Sequence, residues 1–194
     1  MANRTYLYCS DKPVKYIDLG AEIIISAANY MVPVFWYMLF DESCIEKVST
    51  PCDDNEPDFN YFRLCAPKAS SIERAKQRIS SLSNVLGAGI MEQFNQFIDH
   101  LMVQPGQWVV VETCELAMMD TSAHNHKKEA KKCVKAFSQE LIIQKGFFKK
   151  RPVVNPNWVV LLGQANISGT DHHPIESLCG YSWQNSVPWE TNSA

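Results

Sequence analysis

The chain has 194 residues, 46% of them apolar, and a net charge of −3. That is enough for one domain with a real core, and the mild acidity gives no general affinity for nucleic acid. Seven cysteines, an odd number without a CxxC pair, argue against a disulfide scaffold or zinc cluster and for reduced cytoplasmic thiols.

Thr5–Cys9 (TYLYC) reads as a first strand. Met1–Thr5 leads into it with no apolar h-region, so no signal peptide is expected. Asp11–Pro13 reads as a turn. The uncharged run Ile23–Phe40 (IIISAANYMVPVFWYMLF) follows. It falls short of the roughly 20 apolar residues that cross a bilayer, and Asn29 and Pro33 interrupt it. Pro33 lacks a backbone N–H and holds Val32 extended. The run therefore divides into a strand at Ile23–Ile25, a turn at Asn29–Tyr30 and a short core helix from Pro33 through Phe40.

Ser49–Asp58, rich in acids and proline, reads as an exposed loop, and Asn60–Cys65 as a strand. Ser70 and Glu73 have capping-box spacing, and Ile72, Ala75, Ile79, Leu82 and Leu86 continue at helical intervals. Gly87 and Gly89 interrupt before a second helix, Met91–Met102, which Pro105–Gly106 ends. Gln107–Thr113 is the most strand-like run. A third long helix is expected from Thr121–Ser122 beyond Leu141, with Cys133, Phe137 and Leu141 as its stripe and Gly146 as its stop. Trp158–Leu162 reads as a buried strand. The pattern predicts an α+β fold, with mixed α/β as the variant: one sheet with about four helices packed on it. Residues 1–168 form a single globular domain, and 169–194 an irregular Trp-rich segment packed on it.

Several groups carry potential chemistry. His124 and His126 with Asp120 could ligate a metal, though two-ligand spacings are common and no fourth ligand is evident. Asp171, His172 and His173 precede Cys179, so a Cys–His nucleophile pair is conceivable, and a small metal- or His-dependent hydrolase is one alternative. Glu112 and Glu115 flank Cys114, but residues three apart on a strand face opposite ways. No phosphate loop or dinucleotide fingerprint is present, so no cofactor is expected.

Charge is segregated. Residues 41–58 hold seven acids against Lys47; residues 122–151 hold nine bases against Glu129 and Glu140. Lys127, Lys131 and Lys135 share one helical face, with Lys128 and Lys132 beside it. With Phe147, Phe148, Lys149, Lys150 and Arg151 they make nucleic-acid binding the second alternative. The plainer reading is the solvated side of an amphipathic helix. Asp41, Glu42, Asp53, Asp54, Glu56 and Asp58 make the acidic segment the expected contact for a basic partner surface. Trp183 and Trp189 would anchor that contact if exposed and close the core if buried.

The opening octet Met1-Ala-Asn-Arg-Thr-Tyr-Leu-Tyr8 resembles a scattered family of uncharacterised bacterial proteins that begin with a MANR[ST]YLY segment. Ser26–Phe40, with Asn-Tyr-x-x-Pro at Asn29–Pro33, and the strand QWVVVETCEL are similar to later shared blocks of that family. The resemblance implies a bacterial cytosolic domain and supplies no catalytic residues. At the level of class it suggests an immunity protein, non-enzymatic, that occludes a cognate secreted toxin. No membrane partner is expected.

Overall fold

A computed structural model describes residues 3–13, 23–51, 58–80, 88–119, 123–138, 141–145, 150–154 and 174–190. Strands β1 (Arg4–Ser10), β2 (Ile23–Asn29), β3 (Ile45–Thr50), β4 (Phe59–Pro67) and β5 (Trp108–Glu112) form one sheet in the order β2-β1-β5-β4-β3. Every neighbouring pair in it is antiparallel. β6 (Leu141–Lys145) and β7 (Lys150–Val154) form a separate antiparallel pair. The helices are α1 (Val34–Met38), α2 (Lys68–Ser80), α3 (Ala88–Val103), α4 (Cys114–Met119), α5 (Ala123–Ser138) and α6 (Pro174–Cys179). The fold is α+β.

Alternation along the strands divides the sheet into two buried faces. Leu7, Cys9, Leu64, Ala66, Val109 and Val111 point into the main core with residues of α1, α2 and α3. Tyr8, Cys65 and Val110 form a second cluster on the opposite face. That is why β5 reads as a continuous apolar run: its valines serve both sides.

The uncharged run divides as its sequence predicts. It supplies β2, a turn closed by Tyr30 at φ 59°, and α1, entered through Pro33 in an extended conformation. Among the described residues no helix is long and apolar enough to cross a membrane. Phe35, Trp36, Met38, Leu39 and Phe40 are fully buried. The Phe35 ring meets Phe94 edge-on at 5.3 Å and Phe97 at 6.0 Å.

A five-residue helix has no stability of its own. Two arginines, one turn apart on α2, hold its end. Arg78 Nη1 donates to the carbonyls of Met38 (2.8 Å) and Phe40 (2.6 Å). Arg74 Nη1 donates to Leu39 O at 2.6 Å, and its Nη2 pairs with Asp41 at 2.9 Å. The carbonyls that a helix end leaves over are thus satisfied by charged donors.

Several local expectations are corrected. The loop expected from Ser49 begins later, because β3 pairs through Thr50 with Phe59. Ser70 does not cap a helix: α2 starts at Lys68, and the Ser70 hydroxyl turns back to Pro67 O at 3.0 Å. The long basic helix ends at Ser138, and Leu141 pairs with Val154 in a strand instead. Leu82 and Leu86, Gly146 and Trp158–Leu162 lie outside the described residues.

The tail is more ordered than its composition suggests. It opens with α6, and Gly180 at φ 80° ends that helix, its N–H bonded to Glu176 O at 2.8 Å. Tyr181 then exchanges both backbone hydrogen bonds with Ala27 on β2, at 2.8 and 3.0 Å. Ser26 Oγ donates toward Tyr181 O and Cys179 O, and Trp36 Nε1 donates to Cys179 O at 2.9 Å. A Cβ on Gly180 would stand 2.6 Å from Ala27 O and 2.7 Å from the Trp36 ring, so only glycine permits this approach.

Candidate contact surface

The acids that lie together in sequence are dispersed in space. Asp41 pairs with Arg74, and its Oδ1 accepts from Ser43 N at 2.9 Å, capping a short 3-10 turn. Burial works to raise its carboxyl, but Ser43 and Arg74 together hold it below the usual range. Glu42 is exposed. Glu46 turns inward to Arg63, at 3.2 Å. Asp58 is exposed beyond the far end of β3 and accepts from Ser49 Oγ at 3.2 Å. A six-residue strand separates the two ends by about 17 Å. Among the described residues, these acids therefore do not form one patch. Asp53, Asp54 and Glu56 lie outside the described residues.

The tryptophans also divide. Trp189 is 1% exposed, set edge-on against Phe97 (5.8 Å) and His100 (5.6 Å), with Nε1 donating to Gly180 O at 2.8 Å. Packed on all sides, it closes the core, which corrects its assignment to a contact. Trp183 is half-buried and stands against Tyr6 at 5.3 Å, with the Arg4 guanidinium 4.7 Å over its ring.

Arg4 is the hub of a surface drawn from three parts of the chain. Its backbone N–H donates to Glu115 Oε2 at 2.9 Å, and Tyr6 OH donates to Glu115 Oε1 at 2.9 Å. Burial and the Glu115 carboxylate push the Tyr6 phenol up to about 12. Tyr181 OH donates to Asn29 Oδ1 at 2.9 Å, and Tyr30 N donates to Asn3 O at 2.8 Å. One turn beyond Glu115 on α4, Met118 and Met119 are 55% and 50% exposed, and Tyr30 is 51% exposed. Arg, Tyr, Trp and Met are the residues that concentrate in protein interfaces. The Tyr6 and Tyr181 hydroxyls and the Arg4 backbone N–H are already bonded, so part of the surface is ordered before contact. The residues around Arg4 were not legible in sequence: Arg4, Tyr30 and Met118 are unremarkable singly, and β1 joins Asn29 of β2 to Glu115 of α4 only through strand pairing.

The sheet carries a second polar group, buried. Tyr6 faces Glu112 across β1 and β5, and Glu46 faces Arg63 across β3 and β4. Because Leu64 pairs with Val111, Arg63 falls beside Glu112. Arg63 and Glu112 are each 2% exposed. Burial opposes the Arg63 charge, but Tyr8, Glu112 and Glu46 outweigh it and keep it protonated. Burial raises the Glu112 carboxyl against the pull of Tyr61 and Arg63. Glu112 Oε1 accepts from Thr113 N (2.9 Å) and Cys114 N (3.0 Å), which opens α4. Glu115 lies on that helix, not on the strand expected from sequence, so the two carboxylates serve different ends. Buried this deeply, the row offers no contact to a macromolecule.

The remaining candidates resolve unevenly. Cys179 is fully buried, and burial pushes its thiol well up, so it stays protonated and is no nucleophile. Asp171, His172, His173 and Asp120 lie outside the described residues. His124 and His126 fall on α5, and no group of three metal-ligating side chains occurs among the described residues. Lys127 rests on the Phe62 ring at 4.7 Å, while Lys128, Lys131, Lys132 and Lys135 are exposed. α5 buries Val134, which lies two turns after the half-buried Lys127. Phe147, Phe148 and Lys149 lie outside the described residues, and Lys150 and Arg151 fall on β7.

The fold and this surface define an α+β protein with a preassembled aromatic–methionine face. No protein-family model matches the chain, and no curated protein or solved structure matches it.

Proposed function

We propose that the chain is a non-enzymatic binding protein, of the bacterial immunity class, that neutralises a cognate secreted toxin in the cytoplasm by covering its active site. The observation that carries this reading is the surface around Arg4, where the guanidinium lies over Trp183, Tyr6 and Tyr181 are hydrogen-bonded, and Tyr30, Met118 and Met119 are exposed. Sheet register adds to it. Asn29, Arg4 and Glu112 end their strands on the same side of the sheet as Thr50 and Phe59, which flank the acid-rich connection. β1, which carries Arg4, and β3, which ends at Thr50, are three strand spacings or about 14 Å apart, within the width of one ordinary interface. Acids there steer a basic surface, while the aromatic group supplies holding energy.

The test is a binding titration against the purified product of the adjacent gene, together with co-expression of the two. A 1:1 complex that abolishes the toxicity of that product is expected. A chain that neither binds it nor protects cells from it ends the proposal.

A further inference from the structure

Beside α4 lies an open apolar cleft of about 70 Å3, lined by Val32, Tyr37, Phe62, Leu64, Thr113, Leu116 and Ala130. Drug-sized ligands and cofactors need about 300 Å3 or more, so this volume excludes them and suits the end of one side chain. Its mouth is reachable, since Val32, Tyr37, Phe62, Leu116 and Ala130 are each partly exposed. Its floor offers no free hydrogen-bonding group from Thr113, whose hydroxyl already donates to Phe62 O at 2.5 Å. One cation borders it: Lys127, one turn before Ala130 on α5, stands 4.7 Å over the Phe62 ring.

We infer that this cleft receives a single aliphatic side chain of the partner protein, a leucine, isoleucine or methionine, with a carboxylate next to it that pairs with Lys127. Apolar lining selects the aliphatic group, and the rim cation selects its acidic neighbour. α4 then becomes the ridge of the footprint, with the Leu116 side and its cleft on one flank and Met118 on the other. The inference rests on the binding-protein reading and adds to it the chemistry of the anchor.

The test is a set of titrations against the purified, catalytically inactivated product of the adjacent gene. Ala130→Leu fills the cleft from within. It is expected to unfold no earlier than the wild type and to bind at least about 10-fold more weakly, the worth of one buried aliphatic side chain. Leu116→Gln makes the lining polar without adding bulk and serves if Ala130→Leu fails to fold; the same loss is expected. Lys127→Ala should weaken binding less and reduce its salt dependence. If the wild type binds and the folded cleft variants bind equally well, the cleft is no anchor site, and the binding-protein reading survives without it. If the wild type does not bind, both fall.

Discussion

Replacing Arg78 by methionine tests whether α1 is held from outside. Arg78 is 5% exposed, and its Nη1 reaches Met38 O at 2.8 Å and Phe40 O at 2.6 Å. Methionine keeps the aliphatic stem and removes both charged hydrogen bonds. Each is worth about 1.5–3 kcal/mol, and the carbonyls left behind are buried away from water. The sum is not fully additive, so a loss of about 3–5 kcal/mol is expected. Against a typical total of about 5–15 kcal/mol, that is about a fifth or more of the stability. Urea unfolding should show a lower midpoint with an unchanged slope, as for a change in stability alone. Arg78→Lys should fall between, because the ammonium keeps the charge but its shorter stem places the donor less well between the two carbonyls. A loss under about 1 kcal/mol for Arg78→Met would show that α1 is held by its aromatic packing alone, refuting the capping argument.

Gly180→Ala should cost at least about 2 kcal/mol, from the positive φ and from the contact of the new Cβ with Ala27 O; thermal unfolding reads it, and a neutral result would mean the tail is not pinned there. Trp189→Ala should cost about 3–5 kcal/mol of stability. Trp183→Ala should cost about 1 kcal/mol or less in stability but weaken partner binding about 30-fold or more; the reverse order would exchange the roles of the two residues. Because burial raises Glu112 in the folded chain, its contribution is complete below the ordinary glutamate range and is lost as pH rises through its folded pKa. Glu112→Gln keeps the Oε1 acceptor and removes the titration. The variant should therefore gain on the wild type in urea unfolding as pH rises above the ordinary glutamate range; a relative gain by the wild type would mean Arg63 outweighs burial.

What the sequence disclosed was what local chemistry decides. Asn29 and Pro33 divide the uncharged run regardless of what packs on it, and Pro105–Gly106 ends α3 regardless of partner. Surface charge was misjudged because it was counted along the chain. Asp41 and Asp58 belong to opposite ends of β3, and Glu46 points inward because alternation puts it on the face of Arg63. α4 went unseen because six residues carry too little periodicity, and its start depends on a buried Glu112. Nor can composition tell a buried tryptophan from a presented one; that depends on Phe97 and His100 meeting Trp189 while Arg4 meets Trp183.

The place of β5 has a consequence for how the protein is made. β1 with β2, and β3 with β4, are neighbours in sequence and can pair early, but β5 is the strand that joins them. Until Trp108–Glu112 has emerged from the ribosome, β1 and β4 each present an unpaired apolar edge with no central strand between them. Nascent chains truncated before Gln107 are therefore the form most exposed to chaperones and to self-association, and folding to a single sheet waits on a strand made only after two helices have followed β4.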